Sequence, residues 1–201
     1  MHHVAHDHLA SETLSRHIGA HIVEDSSAVH LFHVGHHRMC GRNLAQVGRL
    51  VQQGKIKVVL LADGKGRCAG FVANREGVGY LCLARSRLHG SSGRGIALHE
   101  ATHASFMLRG TQYHVDALVD EALAFIVEAM YRERHGDLAS EYAGDPMLSA
   151  AHKVAQEIRN SHHADHVSVN RLKTALLENG YIEWAANLQA DRVMFSPAGG
   201  A

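Results

Sequence analysis

Residues 96–108 read IALHEATHASFML, a helix-forming run that contains His99, Glu100 and, one turn further on, His103. Because an α-helix turns about 100° per residue, His99 and His103 lie about 40° apart on one face and one turn apart along the axis. Two imidazoles at this spacing can reach one divalent cation. Glu100 falls just beside that face, where its carboxylate can contact a water molecule without taking a coordination position.

The rest of this helix is mostly apolar. Ile96, Phe106 and Met107 share the histidine face, and Leu98 and the alanines cover other sides. The pattern predicts a buried helix with little surface to offer to water. A buried imidazole pair needs polar partners, and a metal ion is one such partner.

A third ligand is expected from the next helix, because a catalytic zinc site takes three protein ligands and leaves the fourth position to water. Residues 117–131 read ALVDEALAFIVEAMY, and their acids are Asp120, Glu121 and Glu128. Glu121 shares its stripe with alanine, leucine and phenylalanine side chains. A carboxylate there is costly unless it pairs with a cation or binds a metal.

Helix lengths support this assignment. The helix climbs about 10 Å from His103 to the break at Gly110, and its antiparallel partner descends about 9 Å from Val115 to Glu121. A tight helical hairpin therefore brings Glu121 level with the histidines.

The sequence HEATH at 99–103, a spacer over 104–120 and Glu121 within Asp-Glu-Ala-Leu-Ala resemble the HExxH…E pattern of gluzincin metallopeptidases in a compact bacterial form. The resemblance spans about residues 78–134. It implies a zincin-like fold, a zinc ion (Zn2+) held by His99, His103 and Glu121, and peptide-bond hydrolysis in which Glu100 activates a metal-bound water. A fainter similarity is to peptidase-like domains of bacterial toxins and effectors.

The chain departs from that pattern in two places. Where the thermolysin-like branch has a carboxylate that supports a ligand histidine, this chain has Phe125, so we expect that support from Asp120 or Glu128. The Gly-x-Met-Glu-Asn strand of the aminopeptidase branch is missing, which leaves the choice between endopeptidase and exopeptidase open.

Other residues compete for roles in this site. Cys82 precedes the helix as the cysteine of peptide deformylases does, but its Tyr-Leu-Cys-Leu context differs from theirs. Phe106 and Arg109 exclude the longer metzincin motif. A developing oxyanion needs a hydrogen-bond donor. The candidates are Tyr113, Tyr131, Tyr142, His162, His163 and His166.

The order of elements predicts an α+β fold, in which a small mostly antiparallel sheet precedes a helical half. We treat residues 1–201 as a single domain and leave 1–40 without an assigned role. The strand at 78–83 is expected to align an extended peptide by edge pairing. Predicted helices cover 43–53, 95–109, 114–134, 147–160 and 170–178, predicted strands cover 56–61, 69–74 and 78–83, and the end from Pro197 is expected to be a frayed tail.

The 19 histidines nearly equal the 20 Lys and Arg residues, and many of them lie in the first 40 positions. A His-rich surface can bind metal ions loosely. A protein that binds metal without catalysis is therefore the main alternative to a hydrolase.

Composition excludes several classes of protein. Apolar residues make up 46% of the chain and its formal net charge is zero with His neutral, so neither nucleic acid nor a membrane is an expected partner. The expected partner is a peptide or protein substrate, and the oligomeric state is open. With no secretory signal or long apolar run, we expect a cytoplasmic protein unless export uses another route. The three cysteines fit no disulfide framework and are expected to be buried.

Overall fold

The computed structural model describes residues 8–62, 69–73, 77–88, 90–110, 115–136 and 144–180. Within these residues the fold is α+β, with six α-helices, a four-stranded mixed sheet and a separate two-stranded sheet. The strands are β1 (His8–Leu9), β2 (Phe32–Val34), β3 (His37–Met39), β4 (Ile56–Leu61), β5 (Ala69–Ala73) and β6 (Gly79–Ala84). The helices are α1 (Glu12–Asp25), α2 (Gly41–Gln52), α3 (Gly90–Leu108), α4 (Ala117–Arg134), α5 (Pro146–Ser161) and α6 (His166–Glu178).

Every predicted helix is present, with shifted ends. The motif helix α3 begins at Gly90, five residues before the predicted start at 95, and ends before Gly110, whose φ of +65° is the left-handed conformation expected of a helix terminator. Asp116 begins α4 by accepting hydrogen bonds from the backbone N–H groups of Leu118 and Val119. The predicted tail from Pro197 lies outside the described residues.

The four-stranded sheet has the order β1-β4-β6-β5 and is mostly antiparallel, as predicted. The exception is its central pair, because β4 pairs with β6 in parallel, so the sheet is mixed. The two strands predicted on either side of the turn at 76–77 are confirmed as β5 and β6, which pair antiparallel, whereas residues 74–76 lie outside the described residues. The chain therefore passes from β4 to the sheet edge at β5 before it returns to β6.

This order corrects the predicted role of β6. Because β6 pairs with β4 on one side and β5 on the other, it has no free edge for a peptide. Within the described residues β5 is the outer strand on that side, and α3 packs against it.

The segment that had no predicted structure before residue 41 contains α1 and the β2–β3 hairpin. Helix α1 crosses α2 at two glycines. A Cβ atom on Gly19 would come within 2.6 Å of the Gly48 carbonyl oxygen, and one on Gly48 within 2.7 Å of the Gly19 carbonyl oxygen. The two backbones therefore touch where these glycines meet.

Helix α3 lies inside the molecule, between the sheet and the other helices. It packs against β5 and β6 on one side and against α1, α2 and α4 on others. Its Leu98, Ala101 and Ala104 are fully buried in the main hydrophobic core. This position explains why a helix with histidines and a glutamate carries almost no exposed polar surface. No helix among the described residues is long and apolar enough to cross a membrane.

Candidate metal centre

Helices α3 and α4 pack in antiparallel order, as the helix lengths predict. Space for a side chain at Gly95 is limited by Glu128 and Arg132, with Arg132 Nε 3.3 Å from the Cβ position. One turn later His99 faces Glu128 and Glu121, and His103 faces Glu121. Small residues on α3 thus let α4 approach closely, and the predicted coincidence of levels is confirmed.

The structure brings His99, His103 and Glu121 together, with one ligand atom from each within 4.8 Å of the others. Glu121 Oε2 lies 3.5 Å from His99 Nε2 and 3.7 Å from His103 Nε2. Tetrahedral zinc with bonds of 2.0–2.2 Å separates its ligand atoms by about 3.4 Å. The geometry and the donor set of two nitrogens and one oxygen therefore fit a catalytic zinc site.

The three side chains are buried, with 4%, 8% and 7% of His99, His103 and Glu121 exposed. Glu121 Oε2 accepts no well-formed hydrogen bond within the part of the chain that the structure describes. A buried carboxylate oxygen without such a bond is uncommon, and a bound cation is one way to satisfy it. The state of this oxygen therefore agrees with a candidate metal site.

Without a metal, the carboxylates hold protons on both imidazoles. Burial lowers the pKa of His99, but Glu121 and Glu128 outweigh it and raise that pKa well above its ordinary value. Burial also lowers the pKa of His103, and Asp120 and Glu121 outweigh it to give a pKa of about 9. Two protons carry the same charge as one divalent cation. Exchanging them for zinc therefore leaves the net charge of the cluster unchanged.

Glu128 orients His99. Its Oε2 accepts a hydrogen bond of 3.2 Å from His99 Nδ1, which directs the opposite nitrogen, Nε2, toward Glu121. Arg132 donates to Glu128 Oε1 at 2.6 Å and to Ser92 Oγ at 3.3 Å. Burial raises the pKa of Glu128, but His99 and Arg132 outweigh it and hold the pKa below its usual value. The support expected from Asp120 or Glu128 is thus present at His99.

Asp120 lies beside His103, the second histidine of the motif. Its Oδ2 lies 2.9 Å from His103 Nδ1, an ion-pair distance, although the alignment is not that of a hydrogen bond. Both predicted supporting acids therefore contact a ligand imidazole, one each. Phe125, at the position of the thermolysin-like carboxylate, packs its ring edge-on to His99 with 4.8 Å between ring centres.

Glu100 is buried beside the histidines, with 6% of the residue exposed. Its negative charge acts on both imidazoles, since it raises the pKa of His99 and of His103. The carboxylate is therefore close to the cluster without being one of its three members. This is the placement expected of a general base.

Cys82, the other candidate for the third ligand, lies on the face of the sheet opposite α3. It packs with Val59, Leu61 and Tyr80 in a small cluster, whereas Leu81 and Leu83 belong to the core that contains α3. Because successive strand residues point to opposite faces, Cys82 is directed away from the histidines. It is buried as expected, but Cys40 is only partly buried, contrary to the expectation. Cys68 lies outside the described residues.

The oxyanion candidates divide into three groups. Tyr113 and Tyr142 lie outside the described residues. Tyr131 is buried in α4 and its ring packs against His135. The remaining candidates are exposed around the turn between α5 and α6 and comprise His162, His163 and His166.

Sequence reasoning missed Arg132 and Ser92. Arg132 is 3% exposed, and its spacing of four residues from Glu128 on an apolar helix was the available signal. No such signal existed for Ser92, since its contact with Arg132 depends on how α3 and α4 pack. No protein-family model, curated protein or solved structure matches the chain.

Proposed function

We propose that this protein is a zinc-dependent peptidase in which His99, His103 and Glu121 hold the metal and Glu100 acts as the general base. The observation that carries the proposal is the placement of two imidazole nitrogens and one carboxylate oxygen within 4.8 Å of one another, next to a buried glutamate. That combination is the donor set of the gluzincins, which the sequence resembles.

Each side chain has a distinct task. The Nε2 atoms of His99 and His103 and the Oε2 atom of Glu121 face one another and are the ligand atoms. A zinc ion supplies a Lewis acid there and lowers the pKa of water from 15.7 to about 7. Glu128 keeps His99 in the tautomer whose Nε2 lone pair is free, and Asp120 lies against the far nitrogen of His103.

Glu100 moves the proton. Its carboxylate takes a proton from the attacking water as the new C–O bond forms at the amide carbonyl. It then donates that proton to the leaving nitrogen as the C–N bond breaks, which yields a carboxylic acid and an amine that exchange a proton to become a carboxylate and an ammonium group. Burial beside two imidazoles keeps this carboxylate in place for both transfers.

The sheet edge supports a peptide as the substrate. β5 is the outer strand next to α3 among the described residues, so its outward backbone groups can pair with an extended chain. A peptide paired there would lie next to the strand against which α3 packs. This strand replaces β6, which has no free edge.

A peptidase-like toxin or effector domain would use the same centre on a narrower substrate. A His-rich protein that binds metal without catalysis is the alternative from another class, and it rests on the 19 histidines of the chain. The buried Glu100 favours hydrolysis, since a metal-binding protein has no need of a base beside its ligands.

The experiment is metal analysis of the purified protein followed by digestion of a random peptide library. We expect one tightly bound zinc ion and cleavage of peptides. Glu100→Gln should keep the zinc and lose turnover, His103→Ala should lose the zinc, and Glu178→Gln, at an exposed residue of α6, should change neither. Retained turnover in Glu100→Gln would refute the role of the base. Several weak ions that survive His103→Ala would favour the His-rich alternative.

A further inference from the structure

A second group of metal-ligating side chains lies on the outer face of α1. His17 and His21 are four residues apart, and their Nε2 atoms converge to 2.8 Å with 4.2 Å between ring centres. The two nitrogens face each other at hydrogen-bond distance, on the exposed side of the helix. None of the ligands of the His99 centre takes part.

This separation matches a particular coordination geometry. Two nitrogens bound at 2.0–2.1 Å in neighbouring positions of a square-planar or tetragonal site are about 2.9 Å apart, whereas tetrahedral positions are about 3.4 Å apart. The distance of 2.8 Å between the Nε2 atoms of His17 and His21 is close to the square-planar separation. Tetragonal nitrogen ligation is the preference of Cu2+ and Ni2+.

The surroundings favour the neutral imidazole that a metal requires. Burial lowers the pKa of His21, and Arg94 and His17 lower it further. Glu24 Oε2 lies 3.6 Å from His21 Nδ1, so the carboxylate orients the ring with Nε2 outward. Two carboxylates compensate the positive charge of Arg94, because its Nη2 donates to Asp25 at 2.5 Å and to Glu24 at 2.8 Å.

A third imidazole borders the same place. His17, His21 and His135 line one open groove of about 400 Å³, together with Arg94 and Tyr131. The His135 ring is held there by packing on Tyr131, with 4.5 Å between ring centres. The groove therefore has room for a cation with its water ligands.

We propose that His17 and His21 form a second metal site, independent of the His99 centre, that binds a cation of tetragonal preference, Cu2+ or Ni2+. The alternative is that the two imidazoles only form a hydrogen bond with each other. In that case the two rings would bind a metal no better than any single exposed histidine.

The experiment uses the full chain saturated with zinc, so that the His99 centre is filled, and adds Cu2+ in steps below one equivalent. Copper broadens NMR signals of nearby nuclei, so the backbone amide spectrum reports where it binds. We expect the amides around 17–21 of α1 to broaden before those elsewhere. His17→Ala and His21→Ala should each weaken this binding on the order of a hundredfold, because chelation by the second imidazole is lost.

His33→Ala is the matched control, since it removes one exposed imidazole on β2 and should leave the broadening of α1 unchanged. Both α1 substitutions are at accessible positions, and the dispersion of the same spectra verifies that each variant is folded. Broadening that begins elsewhere, or that is equal in wild type, His17→Ala and His21→Ala, would overturn the proposal. The zinc content of all variants should stay at one ion, which separates this test from that of the peptidase.

Discussion

His99, Glu128 and Arg132 are three buried side chains joined by hydrogen bonds. The Nδ1 atom of His99 donates to Glu128, and Glu128 in turn accepts from Arg132 at 2.6 Å. Glu128 is 5% exposed and Arg132 3% exposed, so water does little to weaken this pair. The negative charge of Glu128 therefore acts on His99, and the positive charge of Arg132 balances it.

Glu128→Gln should weaken zinc binding about 10–100-fold, because the amide keeps the shape but not the charge that directs the His99 lone pair. Competition with a chromophoric chelator measures the affinity. Glu133→Gln is the control, since Glu133 lies on the same helix and pairs with Arg159 instead. Equal affinities of the Glu128 variant and the wild type would contradict the orienting role.

The stability of the metal-free protein should depend on pH through the same cluster. His103 has a pKa of about 9 in the folded state against about 6.5 when unfolded. A raised folded pKa stabilises fully below the unfolded value, so this contribution is complete below about pH 6.5 and is lost as the pH rises through about 9. Urea unfolding of chelator-treated protein between these limits should show the decline.

The control for this pH effect is His103→Ala, which should lack the part of the decline that belongs to His103. Zinc binding should strengthen over the same interval, because fewer protons have to leave the imidazoles. A metal-free wild type whose stability rises through this interval would contradict the prediction.

At the level of the helices, close approach of backbones decides which side chains meet. Gly95 lets α4 approach α3, and Gly19 with Gly48 does the same for α1 and α2. Arg94 then links α1 to α3 through Asp25, which is 3% exposed. The helix that carries the motif is thereby fixed by neighbours on two sides.

Gly48→Ala should destabilise the fold by about 1–3 kcal/mol, because the new methyl group clashes with backbone atoms, which cannot move aside as a flexible side chain can. It would lie 2.7 Å from the Gly19 carbonyl oxygen and 3.0 Å from the Val23 backbone nitrogen. The higher helix propensity of alanine, worth about 1 kcal/mol, opposes but does not cancel this cost. Chemical denaturation measures the free energy of unfolding.

Gly144→Ala is the comparison, because nothing lies within 4 Å of its Cβ position. That change should leave the free energy of unfolding nearly unchanged. A Gly48 variant as stable as the wild type would show that α1 and α2 do not touch at this crossing.

At the scale of the whole molecule, the proposed metal ligands come from two helices of the main core. α3 and α4 together supply many of its fully buried side chains, including Leu98, Leu123 and Ile126. A metal that ties these helices together therefore binds the folded chain only, and its binding free energy adds to the stability of the fold.

Zinc should therefore raise the free energy of unfolding by about 2.7 kcal/mol when its free concentration is a hundredfold above the Kd. Thermal unfolding with and without chelator measures the effect. His103→Ala should show no such rise, since one ligand is gone. A rise of equal size in that variant would mean that zinc stabilises the protein from another site.

Much of the centre was predictable because it depends on local geometry. The turn of an α-helix sets the relation between His99 and His103, and the rise per residue sets the level of Glu121 in an antiparallel partner. A carboxylate within an apolar stripe likewise indicates that it pairs with a cation or binds a metal. The supporting acids followed from the same helix, since Asp120 and Glu128 were its only other acids up to residue 131.

The N-terminal part was not predictable in the same way. Only four residues of α1 are buried, Ile18, Gly19, Ile22 and Asp25, and two of these are not apolar side chains. Such a helix shows no clear hydrophobic period, because it is positioned by a glycine contact and a buried ion pair rather than by an apolar stripe. The β2–β3 hairpin is similarly short, with three residues in each strand.

The sequence by itself determined the helices from α2 to α6, the strands from β4 to β6, and the alignment of the three candidate ligand residues along α3 and α4, because these follow from periods of two and 3.6 residues. Only the tertiary structure decided that β4 lies beside β6, that Cys82 faces away from α3, and that Arg132 completes the support of His99. The physical reason is that pairing between distant segments depends on which surfaces the whole chain can bury together, and no local pattern records that choice.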